Sequence, residues 1–307
     1  MLKWAVTIDQ SLIVEIISML SLQQSRITVI TPTLNSEKSL EACILSVACQ
    51  KYVNKEHLII DGGSSDGTLE IIDRCSRKYK YIRSVCEKDQ GIYDAMNKGI
   101  RMAQDGYILF LGSDDKLYDV NVLNDIFTNM KMLDFEVIYG DIKFEKRKTV
   151  GNGEFTKERF FTYNIPHQAI FCRRETYLNK LGWFNLRYKV WADYEMNLRW
   201  FANSNIKSVY VNRIISLYGE DGFSKGQSDK QFIKDARRLY SGNFHMARND
   251  RVLNEGIYRI GLSEIEKRDL ILGIKYVFVS LYYLKKVSIL KNLILYTVRR
   301  ILSGTSK

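Results

Sequence analysis

The chain has 307 residues, 46% of them hydrophobic, with only 2 prolines and 19 glycines, a composition that can bury a substantial core and excludes a disordered protein. The longest uncharged run of the apolar C-terminal region, Tyr276 to Leu284, is far shorter than the roughly 20 apolar residues that span a bilayer as a helix, which excludes an integral membrane protein. The formal charge of +11 is uneven: no acid follows Asp269, while Lys275, Lys285, Lys286, Lys291, Arg299, Arg300 and Lys307 are all basic, so the excess belongs to the tail and gives little support to a nucleic-acid-binding protein.

Residues 1–25 form an apolar, helix-compatible extension whose role the sequence does not reveal. Asp9 and Glu15 interrupt it and no small-residue cleavage site follows, so a signal peptide is not expected and a cytoplasmic protein is. Apolar runs then come at Ile27–Ile30, Leu58–Ile60, Tyr81–Ile82 with Val85, and Tyr107–Leu111. Helix-like stretches lie between them, around Leu40–Cys49, Leu69–Lys78 and Ile92–Ala103. This alternation predicts βαβ units and a mostly parallel sheet. Further strands are expected at Val137–Tyr139, Ile142–Phe144 and Gln168–Cys172, and a helix over Asp193–Ala202. The five cysteines are scattered, without a C-x-x-C pair, and read as reduced structural thiols.

In parallel sheets ligands gather beyond the carboxyl ends of the strands. The polar clusters of this chain lie there: Thr31-Pro-Thr-Leu-Asn35, Asp61-Gly-Gly-Ser-Ser-Asp-Gly67, Glu87-Lys-Asp-Gln-Gly91 and Gly112-Ser-Asp-Asp115. Each alone could be turn chemistry; their coincidence in position points to one crevice. Asp114 and Asp115 are hard oxygen donors suited to Mg²⁺ or Mn²⁺, although a solvated turn would also explain them. Asp61 could accept hydrogen bonds from a base or ribose, and Asp66 more naturally caps the next helix. Neither G-x-G-x-x-G after the first strand nor a P-loop is present.

Together, Ile30-Thr-Pro-Thr-Leu-Asn35, Ile60-Asp-Gly-Gly-Ser-Ser-Asp-Gly-Thr68, Asp89-Gln-Gly-Ile-Tyr-Asp-Ala-Met-Asn-Lys-Gly99 and Leu111-Gly-Ser-Asp-Asp115 closely resemble the family 2 glycosyltransferases of GT-A fold, of the kind that build bacterial surface polysaccharides. The resemblance covers residues 26–225 as a catalytic domain and leaves 226–307 as a helical, basic, amphipathic region. It implies an α/β, Rossmann-like fold with a mostly parallel central sheet. It also implies a nucleotide-diphosphate sugar donor, UDP-linked first and GDP- or dTDP-linked otherwise, with Thr31, Pro32, Asp61, Asp89, Asn97, Lys98 and Asp114 on the donor. Asn97 and Lys98 would equally suit an ordinary helix. Ser113-Asp114-Asp115 stands at the family's D-x-D motif with Ser first, which puts Mn²⁺ or Mg²⁺ on Asp115.

Trp191-Ala-Asp-Tyr-Glu-Met-Asn-Leu-Arg199 resembles the family's E-D motif with Ala192 for the usual glutamate, and so gives the catalytic base to Asp193, with Glu195 competing. His167 and Gln168 match a pair near the acceptor or the diphosphate, and Gly222-Phe-Ser224 resembles a late loop over the donor. The expected reaction is inverting transfer to a hydroxyl of a glycan or lipid-linked glycan; the alternatives are a catalytically silent donor-binding subunit or, less favoured, a nucleic-acid-binding protein. Residues 270–302 interleave apolar side chains with lysine and arginine, as a helix on an anionic membrane surface would, which would hold the enzyme at the inner face of the cell membrane. Helices packed on the catalytic domain are the other reading.

Overall fold

The computed structural model describes residues 25–151, 153–220, 222, 227–266 and 269–284. The N-terminal extension up to residue 24, Asp221, Phe223, Ser224 and the cations from Lys285 onward lie outside the described residues. The chain divides into two compact units, one formed from Met1–Gly153, His167–Trp183 and Ile206–Gly222, the other from Glu154–Pro166, Phe184–Asn205 and Phe223–Lys307.

In the first unit the apolar runs become strands, three of them buried on both faces as parallel strands under crossover helices require, while the edge strand Ile82–Cys86 is mostly exposed. Strands β1 (Ile27–Thr33) and β2 (Lys55–Asp61) are buried along almost their whole length. They pair in parallel, as do β2 with β3 (Ile82–Cys86) and β1 with β4 (Tyr107–Phe110). Helices α1 (Leu40–Ala48), α2 (Thr68–Lys78) and α3 (Ile92–Met102) make the crossovers. Leu40 and Ile44 of α1 pack with Ile59, Ile71, Ile72 and Ile82. On the other side α3 comes so close that a Cβ at Gly99 would stand 2.5 Å from Ile30 Cγ2, which explains the glycine there.

Beyond β4 the sheet becomes mixed, antiparallel at most pairings and parallel at one. After β5 (Lys116–Leu117), α4 (Val122–Phe127), β6 (Val137–Phe144), β7 (Val150–Gly151), β8 (Ile170–Arg173) and β9 (Ser208–Tyr218), the order is β3-β2-β1-β4-β8-β6-β9-β5 with β7 beside β6. Two expectations are corrected. The runs at Val137–Tyr139 and Ile142–Phe144 are one strand, whose pairing with β9 shifts register around Asp141. Gln168 is not on a strand: His167–Ala169 is a 3-10 turn, and the strand begins at Ile170.

The second unit contains α5 (Ala192–Phe201), α6 (Lys230–Asn243), α7 (Arg251–Glu266) and α8 (Leu270–Tyr283). Its core is aromatic. Phe161 stacks on Tyr240 with centroids 4.3 Å apart, and Tyr194 stacks on Phe232 at 5.0 Å. Asp229 caps α6 through the Gln231 and Phe232 amides and also accepts from the amides of Val190 and Trp191, so one carboxylate fixes the entry to both α6 and α5. Among the described residues no helix is long and apolar enough to cross a membrane.

Candidate active site

The strand-end loops of the first unit are stitched together. Asn35, at a left-handed φ of 49°, receives a bond from the Ser65 amide on its side-chain oxygen and gives its own amide to the Ser64 hydroxyl. The Ser36 amide donates to Thr68 Oγ1, and the hydroxyls of Ser36 and Ser113 lie 2.8 Å apart. Asp66 accepts from the Thr68 and Glu37 amides, joining the start of α2 to the first loop, while the N-cap position itself is Gly67. Asp89 leans over the second loop: a Cβ at Gly62 would stand 2.6 Å from its carboxylate. All four strand ends therefore contribute to one surface.

Asp61 is fully buried at the end of β2. Burial pushes its pKa up, but the Ser64 hydroxyl and amide, the Cys86 thiol and the Gly63 amide all donate to it and hold the net value below the usual carboxylate range. It is a fixed anion.

Asp114 and Asp115 follow β4 within a ring of glycines. A Cβ at Gly112 would meet Asp115 Oδ2 at 2.7 Å, and one at Gly219 or Gly222 would meet Asp114 Oδ2 at 2.7 Å. Asp115 is 3% exposed and accepts from the Gly112 amide at 3.2 Å and the Gly219 amide at 2.7 Å. Burial and the neighbouring Asp114 push its pKa up to about 7, against which the two amides and the charge of His167 pull down. A buried carboxylate whose ionisation is this unfavourable, beside the half-buried Asp114, fits a divalent cation, which would compensate both charges. Among the described residues no cluster of three or more acidic, His or Cys side chains is present.

The remaining expected residues are placed as follows. Thr31 is wholly buried, its hydroxyl 2.9 Å from His57 Nε2 and 3.7 Å from Cys43 Sγ, so its side chain is used inside the fold. Pro32 is buried beside it. Asn97 is buried on α3. Lys98 binds the Lys88 carbonyl at 2.8 Å and Glu87 at 3.0 Å, tying α3 to the third loop. Gln168 is 1% exposed, and neither atom of its amide has a hydrogen-bond partner. An orphaned buried amide is costly unless something fills it.

In the second unit, Asp193 and Glu195 are separated by their environments. Glu195 pairs with Arg199 at 2.9 Å; burial nonetheless holds its pKa above the usual value. Asp193 accepts from Asn164 Nδ2 at 2.9 Å. The pairing of Arg199 along its own helix is the ordinary i,i+4 contact.

Residues 28–191 match the family description "Glycosyl transferase family 2". The chain belongs to this family. It is 36% identical over 211 residues to a PGL/p-HBAD biosynthesis glycosyltransferase of Mycobacterium bovis, covering 67% of this chain and 82% of that one. It is also 29% identical over 177 residues to the cholesterol galactosyltransferase of Borreliella burgdorferi, covering 55% and 43%. Among solved structures, residues 1–349 of S. aureus TarS in complex with UDP-GlcNAc align with a TM-score of 0.67 at 18% identity, over 84% of this chain and 81% of that one. The chain spans 43% of the longer TarS structure, at a TM-score of 0.59. The mannosyltransferase PcManGT of Pyrobaculum calidifontis, in complex with GDP-Man and Mn²⁺, aligns at 0.59 with 14% identity, over 92% and 81%. These likenesses show the GT-A fold, and the family makes the chain a glycosyltransferase.

The sequence did not point to the amide of Gly219, the burial of His57, or Asn164. Backbone amides carry no residue-type signal, and an asparagine in a loop normally reads as a turn former.

Proposed function

We propose that the enzyme transfers a sugar, with inversion, from a nucleotide diphosphate to a hydroxyl of a glycan or lipid-linked glycan during surface polysaccharide assembly. The observation that carries this reading is the glycine-ringed pair of half-buried Asp114 and buried Asp115 at the end of β4, standing with the fixed Asp61 anion at the strand ends. The nucleoside would lie against Pro32, the backbone at Thr31, and Asp61, with Asp89 and Asp114 on the ribose side and Asn97 and Lys98 behind the third loop. TarS is solved with UDP-GlcNAc and PcManGT with GDP-Man and Mn²⁺, which supports a donor of this class. Asp115, assisted by Asp114, would hold Mg²⁺ or Mn²⁺, which supplies charge neutralisation on the departing diphosphate. The orphaned amide of Gln168, with His167 beside it, offers polar contacts to the acceptor or the diphosphate.

Asp193 takes the proton of the acceptor hydroxyl as that oxygen bonds to the anomeric carbon. The bond from that carbon to the diphosphate oxygen breaks on the opposite face, and the diphosphate leaves with the electron pair. One displacement gives inversion, with no glycosyl-enzyme. The test is transfer by purified variants with defined nucleotide sugars. Asp115→Ala is expected to lose at least ~100-fold of metal-dependent transfer, and Asp193→Asn roughly 100- to 10,000-fold. Unchanged rates, or a product of retained configuration, would refute the assignment.

The outward face of α8 carries Ile271, Lys275 and Tyr282, with Ile271 87% and Tyr282 74% exposed. Followed by the basic residues from 285, this face supports attachment to an anionic membrane, at the inner face of the cell membrane.

A further inference from the structure

In the second unit four side chains form one hydrogen-bonded line. Trp200 Nε1 donates to Asn197 Oδ1 at 2.8 Å. Asn197 Nδ2 donates to Asn164 Oδ1 and to the Ile165 carbonyl, both at 2.7 Å. Asn164 Nδ2 donates to Asp193 Oδ2 at 2.9 Å. Trp200 and Asn197 are 2% and 3% exposed, so the start of the line has little access to water.

The direction of this line is determined at both ends. An indole nitrogen can only donate, and an ionised carboxylate can only accept. Asn197 must therefore turn its oxygen to Trp200, which leaves its amide nitrogen for the Asn164 oxygen and the Ile165 carbonyl. Asn164 is then obliged to turn its own nitrogen to Asp193. Flipping either amide would set acceptor against acceptor and donor against donor. Trp200, Asn197 and Asp193 all lie on α5, whereas Asn164 comes from the 154–166 segment, 29 residues before Asp193. The helix thus orients one of its carboxylates through a residue outside itself. Glu195 has no part in the line; its partner is Arg199.

We infer that Asn164, oriented by Asn197 and Trp200, is a positioning residue that fixes the Asp193 carboxylate for proton abstraction. This rests on the reading of Asp193 as the base. Small displacements of a reacting group cost large factors in rate, so the consequence should appear in turnover and leave donor binding alone.

The experiment is a double-mutant cycle on the full chain, using whichever of a panel of UDP-, GDP- and dTDP-sugars it turns over. Asn164→Ala is expected to lower kcat roughly 10- to 100-fold with the donor KM unchanged within about twofold. Because groups that act as a unit are non-additive, adding Asn164→Ala to Asp193→Asn should change the residual rate by less than about twofold. Wild-type kcat in Asn164→Ala, or a loss that multiplies undiminished onto Asp193→Asn, would overturn the inference. Full transfer by Asp193→Asn alone would instead overturn the base assignment, which separates the two failures. If Asn164→Ala does not fold, Asn164→Asp keeps the size and the acceptor for Asn197 but removes the donor. It should lose kcat at unchanged donor KM, and normal turnover there would count against the role as decisively.

Discussion

His57 sits under the candidate site without belonging to its surface. Burial pushes its pKa from 6.5 down to about 3, and its Nδ1 has no hydrogen-bond partner while Nε2 faces the Thr31 hydroxyl. An orphaned acceptor is cheaper than an orphaned N–H, so the proton belongs on Nε2. Above pH 6.5 the imidazole is neutral in both folded and unfolded chains. Between pH 6.5 and 3 the unfolded chain binds a proton that the folded one refuses, so stability falls as the pH drops, by about 2 kcal/mol at pH 5. Denaturant titrations at pH 7 and pH 5 should show this loss, and His57→Asn should have a shallower dependence; equal slopes would contradict it. At this scale the carboxylates were legible in the sequence because each follows an apolar run. The inward setting of the Thr31 hydroxyl was not legible, since a threonine at a strand end gives no sign of which way its hydroxyl points.

Among the elements, β1, β2 and β4 were readable because doubly buried strands are continuous apolar runs bounded by turn residues, and the largely exposed β3 from its Tyr81–Ile82 and Val85 apolar positions between two helix-like stretches. β9 was not. Its sequence, Ser-Val-Tyr-Val-Asn-Arg-Ile-Ile-Ser-Leu-Tyr, mixes polar and apolar residues, and the strand is only partly buried. The shift in β6 was hidden too: a Cβ at Gly140 would stand 2.5 Å from the Arg213 carbonyl, a close approach that a lone glycine does not announce. In the second unit α7 and α8 meet almost backbone to backbone. A Cβ at Gly261 would stand 2.9 Å from the Gly273 carbonyl, and one at Gly273 would stand 2.6 Å from Ile265 Cγ1. One face of α8, with Tyr276, Val277 and Leu281, is buried, and α7 contributes to covering it. Gly273→Leu is expected to cost about 1–3 kcal/mol or more by overpacking, read as a lowered melting temperature; an unchanged melt would mean that the helices do not cross so tightly.

For the molecule as a whole, the excess of cations after Asp269 and the outward Ile271, Lys275 and Tyr282 of α8 predict adsorption to charged lipid. The full chain should co-sediment with vesicles containing phosphatidylglycerol, bind pure phosphatidylcholine weakly, and be released as salt rises. Equal binding to both lipids, or to neither, would count against the surface role. A separate consequence follows from the amide of Gly219, which donates to Asp115 across 104 residues of sequence. During synthesis the first four strands emerge long before the residue that clamps their carboxylate. A growing chain that has not yet delivered Gly219 therefore holds Asp115 without one of the two backbone amides that fix it, so this carboxylate takes its final setting late in synthesis.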